Sequence, residues 1–111
     1  MSFDPIGTIV DWLDLCRAGN VPDLVALYDS QALHMCGEEA ARGYWQIRKY
    51  WENKLANRHP DAFQLQDVAL EAGRAFVVYR NFDGKLARSS VEFNESGQIT
   101  EFHCVCSSSI R

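Results

Sequence analysis

At Pro60 the hydrophobic periodicity of this sequence changes, and the change limits the folds open to it. Before Pro60 apolar residues recur every three or four positions, as they do on helices. After it they alternate, as they do on strands. Asp4-Pro5 resembles an N-cap followed by a first-turn proline, which opens a helix. Ile6, Ile9, Val10, Leu13 and Cys16 continue it as an apolar stripe, and Gly19 stops it. Pro22 starts a second short helix, Val21 to Tyr28, with Leu24, Leu27 and Tyr28 on its inner face. Ala32 to Cys36 reads as a short strand ended by Gly37. The third helix runs from Tyr44 to about Asn57 on Tyr44, Ile47, Tyr50 or Trp51, and Leu55. Arg58-His59-Pro60 ends it.

Ala62 to Glu71 alternates through Phe63 and Leu65, then resumes with Val68 and Leu70. The parity slip at Gln66-Asp67 predicts a bulge. Ala72-Gly73 turns the chain into a strand from Arg74 to Asn81, and Asp83-Gly84 is a hairpin signal. Strands from Lys85 to Asn94 and from Gln98 to Ser107 follow, joined by Glu95-Ser96-Gly97. Three helices and then an antiparallel meander make an α+β domain, with the helices on the concave face of a strongly bent sheet. The expected sheet has four long strands and the short strand around Leu33, and the third helix is expected to be the longest. With 111 residues, the chain forms one domain over residues 1–111.

Composition narrows the function. Eleven Lys plus Arg against 15 Asp plus Glu give a net charge of −4, and no basic cluster exceeds Arg48-Lys49. Neither nucleic acid nor an anionic membrane is an expected partner. Apolar runs such as Ala75 to Val78 are far too short for a membrane span or a signal-peptide core. The four cysteines, Cys16, Cys36, Cys104 and Cys106, match no zinc-site spacing. They read as reduced thiols in a cytoplasmic protein that binds no metal and needs no cofactor.

The segment from Gly19 to His34, with Leu24, Leu27, Tyr28 and Ala32, resembles the "G-D-x-x-x-L-x-x-L-Y-A-D-D-A" stretch of the nuclear transport factor 2-like superfamily. Arg42-Gly43, Ile47 and Tyr50-Trp51 resemble its "G-x-x-x-I-x-x-F/Y-W/Y" helix. Val91-Glu-Phe-Asn-Glu-Ser-Gly97-Gln-Ile-Thr-Glu-Phe resembles its "F-x-F-x-x-x-G-K-I" hairpin. The three motifs stand in the right order along nearly the whole chain. The resemblance, which extends to the SnoaL-like, polyketide cyclase-like and ketosteroid isomerase-like small domains, implies a cone. A curved sheet wraps a helix, an apolar pocket lies at the open end, and two copies often pair. The superfold carries isomerases, dehydratases, epoxide hydrolases, cyclases and non-catalytic adaptors, so fold alone does not assign a function.

By the same resemblance, Cys36 falls where ketosteroid isomerases carry their carboxylate base. Ser89 falls at their neutral acid and Trp12 at their donating tyrosine. Cys104 falls at an essential carboxylate of epoxide hydrolases, and Tyr28 alone matches, at a supporting tyrosine. With no acid at these positions, no catalytic residue carries over. His34 is the one titratable candidate for a base, since its parity matches that of Cys36 and imidazole titrates near neutrality. On the last strand Phe102, Cys104 and Cys106 are expected inward, and Glu101, His103 and Val105 outward. The candidate binding set is Trp12, Cys16, Tyr28, Cys36, Trp51, Ser89 and Cys104 around a small apolar ligand with one polar group. Three classes stay open: a slow isomerase or cyclase using His34 with Trp12 and Ser89 as donors, a binding module without chemistry, and a protein-interaction adaptor. A homodimer is expected through the outer sheet face, formed by Arg88, Ser90, Glu92, Glu101, His103 and Val105 with Val77 and Tyr79.

Overall fold

The computed structural model describes residues 3–106. Helix α1 (Pro5–Ala18) is followed by α2 (Val21–Ala26), the hairpin β1 (Tyr28–Cys36) and β2 (Glu39–Arg42), and α3 (Gly43–Leu55). Strands β3 (Leu65–Glu71), β4 (Arg74–Arg80), β5 (Leu86–Phe93) and β6 (Ile99–Cys106) complete one six-stranded sheet in the order β2-β1-β6-β5-β4-β3. All neighbours are antiparallel except β1 and β6. The α+β arrangement of three helices on a mostly antiparallel sheet is therefore the one expected.

Asp4 and Pro5 open α1 as N-cap and first residue. Gly19 closes it at φ +70°, a left-handed conformation that costs glycine nothing, and its N–H reaches the Cys16 carbonyl. Asn20 then caps α2 by accepting from the Asp23 N–H. The predicted bulge is present: the pairing of β3 with β4 slips between Leu65 and Asp67. Two more slips, between Tyr28 and Leu33 on β1 and between Glu92 and Phe93 on β5, give the sheet further points at which to bend.

Several local expectations are corrected. The buried face of α1 is Ile9, Trp12, Leu13 and Cys16, with Ile6 and Val10 largely exposed. Trp12 takes a core position among the rings of Trp51, Phe63, Tyr79 and Phe102. At 14 residues α1 is longer than α3, which has 13 and ends two residues earlier than Asn57. Tyr28 belongs to β1, not to α2. Strand β2 was not anticipated, since Glu39-Ala-Ala-Arg42 has no apolar alternation; it is an edge strand held by backbone pairing to β1. The alternation of β3 does not mark a buried face, because this other edge strand leaves Leu65 and Leu70 exposed and Val68 only half-buried. Val77 and Tyr79 point inward, since they pair with Ser89 and Ala87 on the buried side of β5. Phe76 and Val78 take their place on the outer face. The expectations for the Cys106 side chain and Ser107 lie outside the described residues.

Candidate functional site

The inner face of the sheet brings Ala32 and His34 of β1, Val77 and Tyr79 of β4, Ala87, Ser89 and Val91 of β5, and Phe102 and Cys104 of β6 under α1 and α3. Aromatic rings fill the centre. Trp12 stacks on Phe102 at 4.9 Å and meets Trp51, Phe63 and Tyr79 edge-on. His34 stacks on Phe102 at 4.7 Å, with Tyr50 at 4.6 Å and Trp51 at 5.2 Å. These edge and offset contacts are the favourable geometries for aromatic pairs.

A buried polar chain runs through this cluster. The indole N–H of Trp12 donates to the Tyr28 hydroxyl at 3.1 Å, and that of Trp51 donates to the same oxygen at 3.3 Å. Tyr28 Oη in turn lies 3.1 Å from His34 Nδ1. An indole N–H can only donate, and a phenolic oxygen has two lone pairs and one proton. Both lone pairs face indoles, so the Tyr28 proton goes to Nδ1. A neutral imidazole that accepts at Nδ1 carries its proton on Nε2. Neutrality follows from burial: removal from water, with His103 adding a smaller repulsion, lowers the His34 pKa from 6.5 to about 3.

Among the described residues, His34 Nε2 is the one buried side-chain polar atom without a partner. A cavity of about 10 Å³ lies among His34, Cys36, Tyr50, Trp51, Phe63, Tyr79, Asn81, Phe82, Phe102 and Cys104. That is room for about one water. The cone is thus filled almost entirely by its own side chains. Cys36 and Phe82 are the partly exposed members of this lining. Lys54 lies over the rings of Phe82, at 4.8 Å, and Tyr50, at 5.5 Å, and pairs with Glu39 at 2.8 Å. A cation thus straps α3 and the loop after β4 to the edge strand β2.

Of the expected binding residues, Cys36, Trp51 and Cys104 line this cavity with His34. Trp12 and Tyr28 are not part of this lining; Tyr28 touches His34 directly, and Trp12 packs on the lining rings of Trp51, Phe63, Tyr79 and Phe102. Cys16 is fully buried in the core, and burial pushes its thiol pKa up. Ser89 is bonded to the Tyr79 hydroxyl at 2.9 Å. The two donors expected to serve a ligand, Trp12 and Ser89, are therefore both engaged within the protein. Cys36 and Cys104 are direct cross-strand partners with Cα atoms 4.4 Å apart, joined as a disulfide rather than standing as separate thiols.

Phe63, Asn81 and Phe82 were not singled out from the sequence. Phe63 adopts φ +63°, rare for a bulky residue, with its N–H on the Arg80 carbonyl and its own carbonyl on the Arg17 guanidinium. No local pattern signals such a conformation. Asn81 had a signal in the Asp83-Gly84 turn, since its Oδ1 accepts from the N–H groups of Asp83 and Lys85. Glu38 and Glu39 are exposed, as are Asp11, Asp14 and Glu52. Among the described residues no cluster of three or more His, Cys, Asp and Glu side chains could hold a metal ion.

Solved structures share the fold. A SnoaL-like protein of unknown function from Burkholderia thailandensis superposes with a TM-score of 0.82 at 15% identity, over 93% of each chain. An NTF2-like protein of unknown function from Cytophaga hutchinsonii gives 0.79 at 10% identity, over 96% of this chain and 92% of the other. The chain has the nuclear transport factor 2-like fold. A third structure with the same fold, the epoxide hydrolase/cyclase-like enzyme SalBIII, acts in pyran ring formation in the polyether salinomycin. It gives 0.78 at 11% identity, over 95% and 92% of the two chains. At these identities the likeness concerns the nuclear transport factor 2-like fold alone. No protein-family model matches the sequence, and no curated protein does.

Proposed function

We propose that this nuclear transport factor 2-like domain binds a small, largely apolar molecule in the aromatic interior beside His34. The observation that carries the reading is the buried, unpartnered Nε2 of His34, a residue that lines the interior cavity. A buried polar atom without a partner costs about 1–3 kcal/mol, a cost that a bound molecule offsets. Apolar walls with one convergent polar group are the usual make-up of a small-molecule site. The resting cavity is smaller than any organic ligand, so binding includes displacement of Phe82 and Tyr50 from under Lys54.

Binding without fast proton transfer suits the groups present. SalBIII is described as a cyclase-like enzyme on this fold, but among the described residues no carboxylate lines the cavity. The basic nitrogen of His34 is turned to Tyr28 and away from the cavity. The protein, isotopically labelled, can be titrated with a panel of small apolar compounds while the signals of His34, Trp51 and Phe102 are followed by NMR. Saturable shifts centred on these residues are expected. Shifts scattered over the surface, or none, would refute an interior site.

A second reading rests on the outer sheet face. There Phe76 and Val105 are exposed beside Val78, Arg88, Ser90 and His103 around an open groove of about 370 Å³. This face is proposed as the homodimer surface.

A further inference from the structure

We infer that His34 acts as a fixed hydrogen-bond donor, and that the group it takes from the ligand is an acceptor-only oxygen such as a ketone, aldehyde or ester carbonyl. The inference rests on the interior-binding reading and names the ligand class within it. Tyr28 is the positioning residue. Two indoles occupy its lone pairs, its proton is directed to Nδ1, and the proton on Nε2 is left without a protein partner on a residue that lines the cavity. The assignment needs both tryptophans: with one indole removed, Tyr28 could accept from Nδ1–H and the ring could present a bare Nε2 instead.

The surroundings select among possible ligand groups. An amine or ammonium brings donors to a site whose facing atom is itself a donor. A hydroxyl can accept from Nε2–H, but its own proton then needs an acceptor. Asn81 Oδ1 already accepts from two backbone N–H groups, the Tyr79 hydroxyl is bonded to Ser89, and the sulfurs of Cys36 and Cys104 are weak acceptors, which leaves the Tyr50 hydroxyl as the one side-chain oxygen of the lining able to take that proton. A carbonyl oxygen satisfies Nε2–H and brings no proton of its own to satisfy, so every polar group ends paired. The neutral donor also matches charge: a neutral imidazole polarises a carbonyl without placing a net charge in an aromatic interior.

Two measurements on the intact chain test this. In the ligand-free protein, long-range proton–nitrogen NMR correlations of His34 are expected to show a protonated Nε2 and an unprotonated Nδ1. In Tyr28→Phe that preference should be lost. If this variant does not fold, the wild-type tautomer alone decides, and a protonated Nδ1 overturns the inference. The second measurement compares cyclopentanone with methylenecyclopentane, which has the same shape and no acceptor. The ketone is expected to bind at least tenfold more tightly, to shift the Nε2 proton, and to lose that advantage in His34→Phe. Equal affinity for the two probes overturns the donor role and leaves interior binding standing. Failure of both probes to bind overturns interior binding and the donor role together.

Discussion

Burial of His34 couples the stability of the fold to pH. Its folded pKa of about 3 lies below the ordinary 6.5, so the unfolded chain binds the proton more readily over the range between them. Stability from the neutral, buried ring is complete above pH 6.5 and is lost as pH falls toward 3. The groups packed against it, Tyr28, Tyr50, Trp51 and Phe102, offer no carboxylate to stabilise a cation. From pH 7 to pH 4 the expected loss from this one group is about 3 kcal/mol. Urea unfolding curves at the two pH values measure it. His34→Gln, which retains an acceptor and a donor but does not titrate, should show a loss smaller by that amount. An identical pH dependence in the variant would mean that other groups carry the acid sensitivity.

Between elements, the Cys36–Cys104 bond joins β1 to β6 across a sequence separation of 68. Closing a loop of that length restricts the unfolded chain and stabilises the fold by on the order of 4 kcal/mol. Thiol titration in denaturant without reductant should find two of the four cysteines reactive, and a thiol reductant should lower the urea midpoint. Four reactive thiols would show that the pair is reduced. The sequence could place Cys36 and Cys104 on an inner face but could not bring them opposite one another, because the parallel pairing of β1 with β6 is a long-range choice. The same limit explains much of what was and was not legible. The α+β order, the Gly19 stop and the bulge at Gln66-Asp67 were readable because each has a local cause in periodicity or backbone freedom. The apolar run from Ala75 to Tyr79 has apolar side chains on both parities, so the inner set Val77 and Tyr79 could be told from Phe76 and Val78 only by pairing with β5. His34 was found by parity. Its role as donor depends on Trp12, Tyr28 and Trp51 meeting from three elements, which no single stretch of sequence encodes.

At the scale of the whole molecule the sheet has two unlike faces. The inner face is covered by helices and closed by its own aromatic rings. The outer face is left open, and part of its charge is paired within it: Arg74 pairs with Glu92 at 3.1 Å, and His103 bonds to Glu101 at 2.9 Å. Exposed ion pairs of this kind contribute little to stability. Phe76, Val78 and Val105 form an apolar strip beside these pairs, with Arg88 as a cation of the same groove that has no ion-pair partner among the described residues. A twofold interface is self-complementary, and a strip flanked by charges of both signs can meet its own copy without accumulating like charges. Light scattering at micromolar concentration is therefore expected to give about twice the 12.6 kDa of the chain. Phe76→Arg places two new cations near the twofold contact and should shift the mass toward 12.6 kDa, and so should Val105→Lys. Both side chains are exposed in the monomer, at 40% and 44%, so neither substitution should move the unfolding midpoint of the isolated subunit appreciably. A wild-type mass of 12.6 kDa would instead leave the strip solvated, and the outer face would lose its role as a dimer surface.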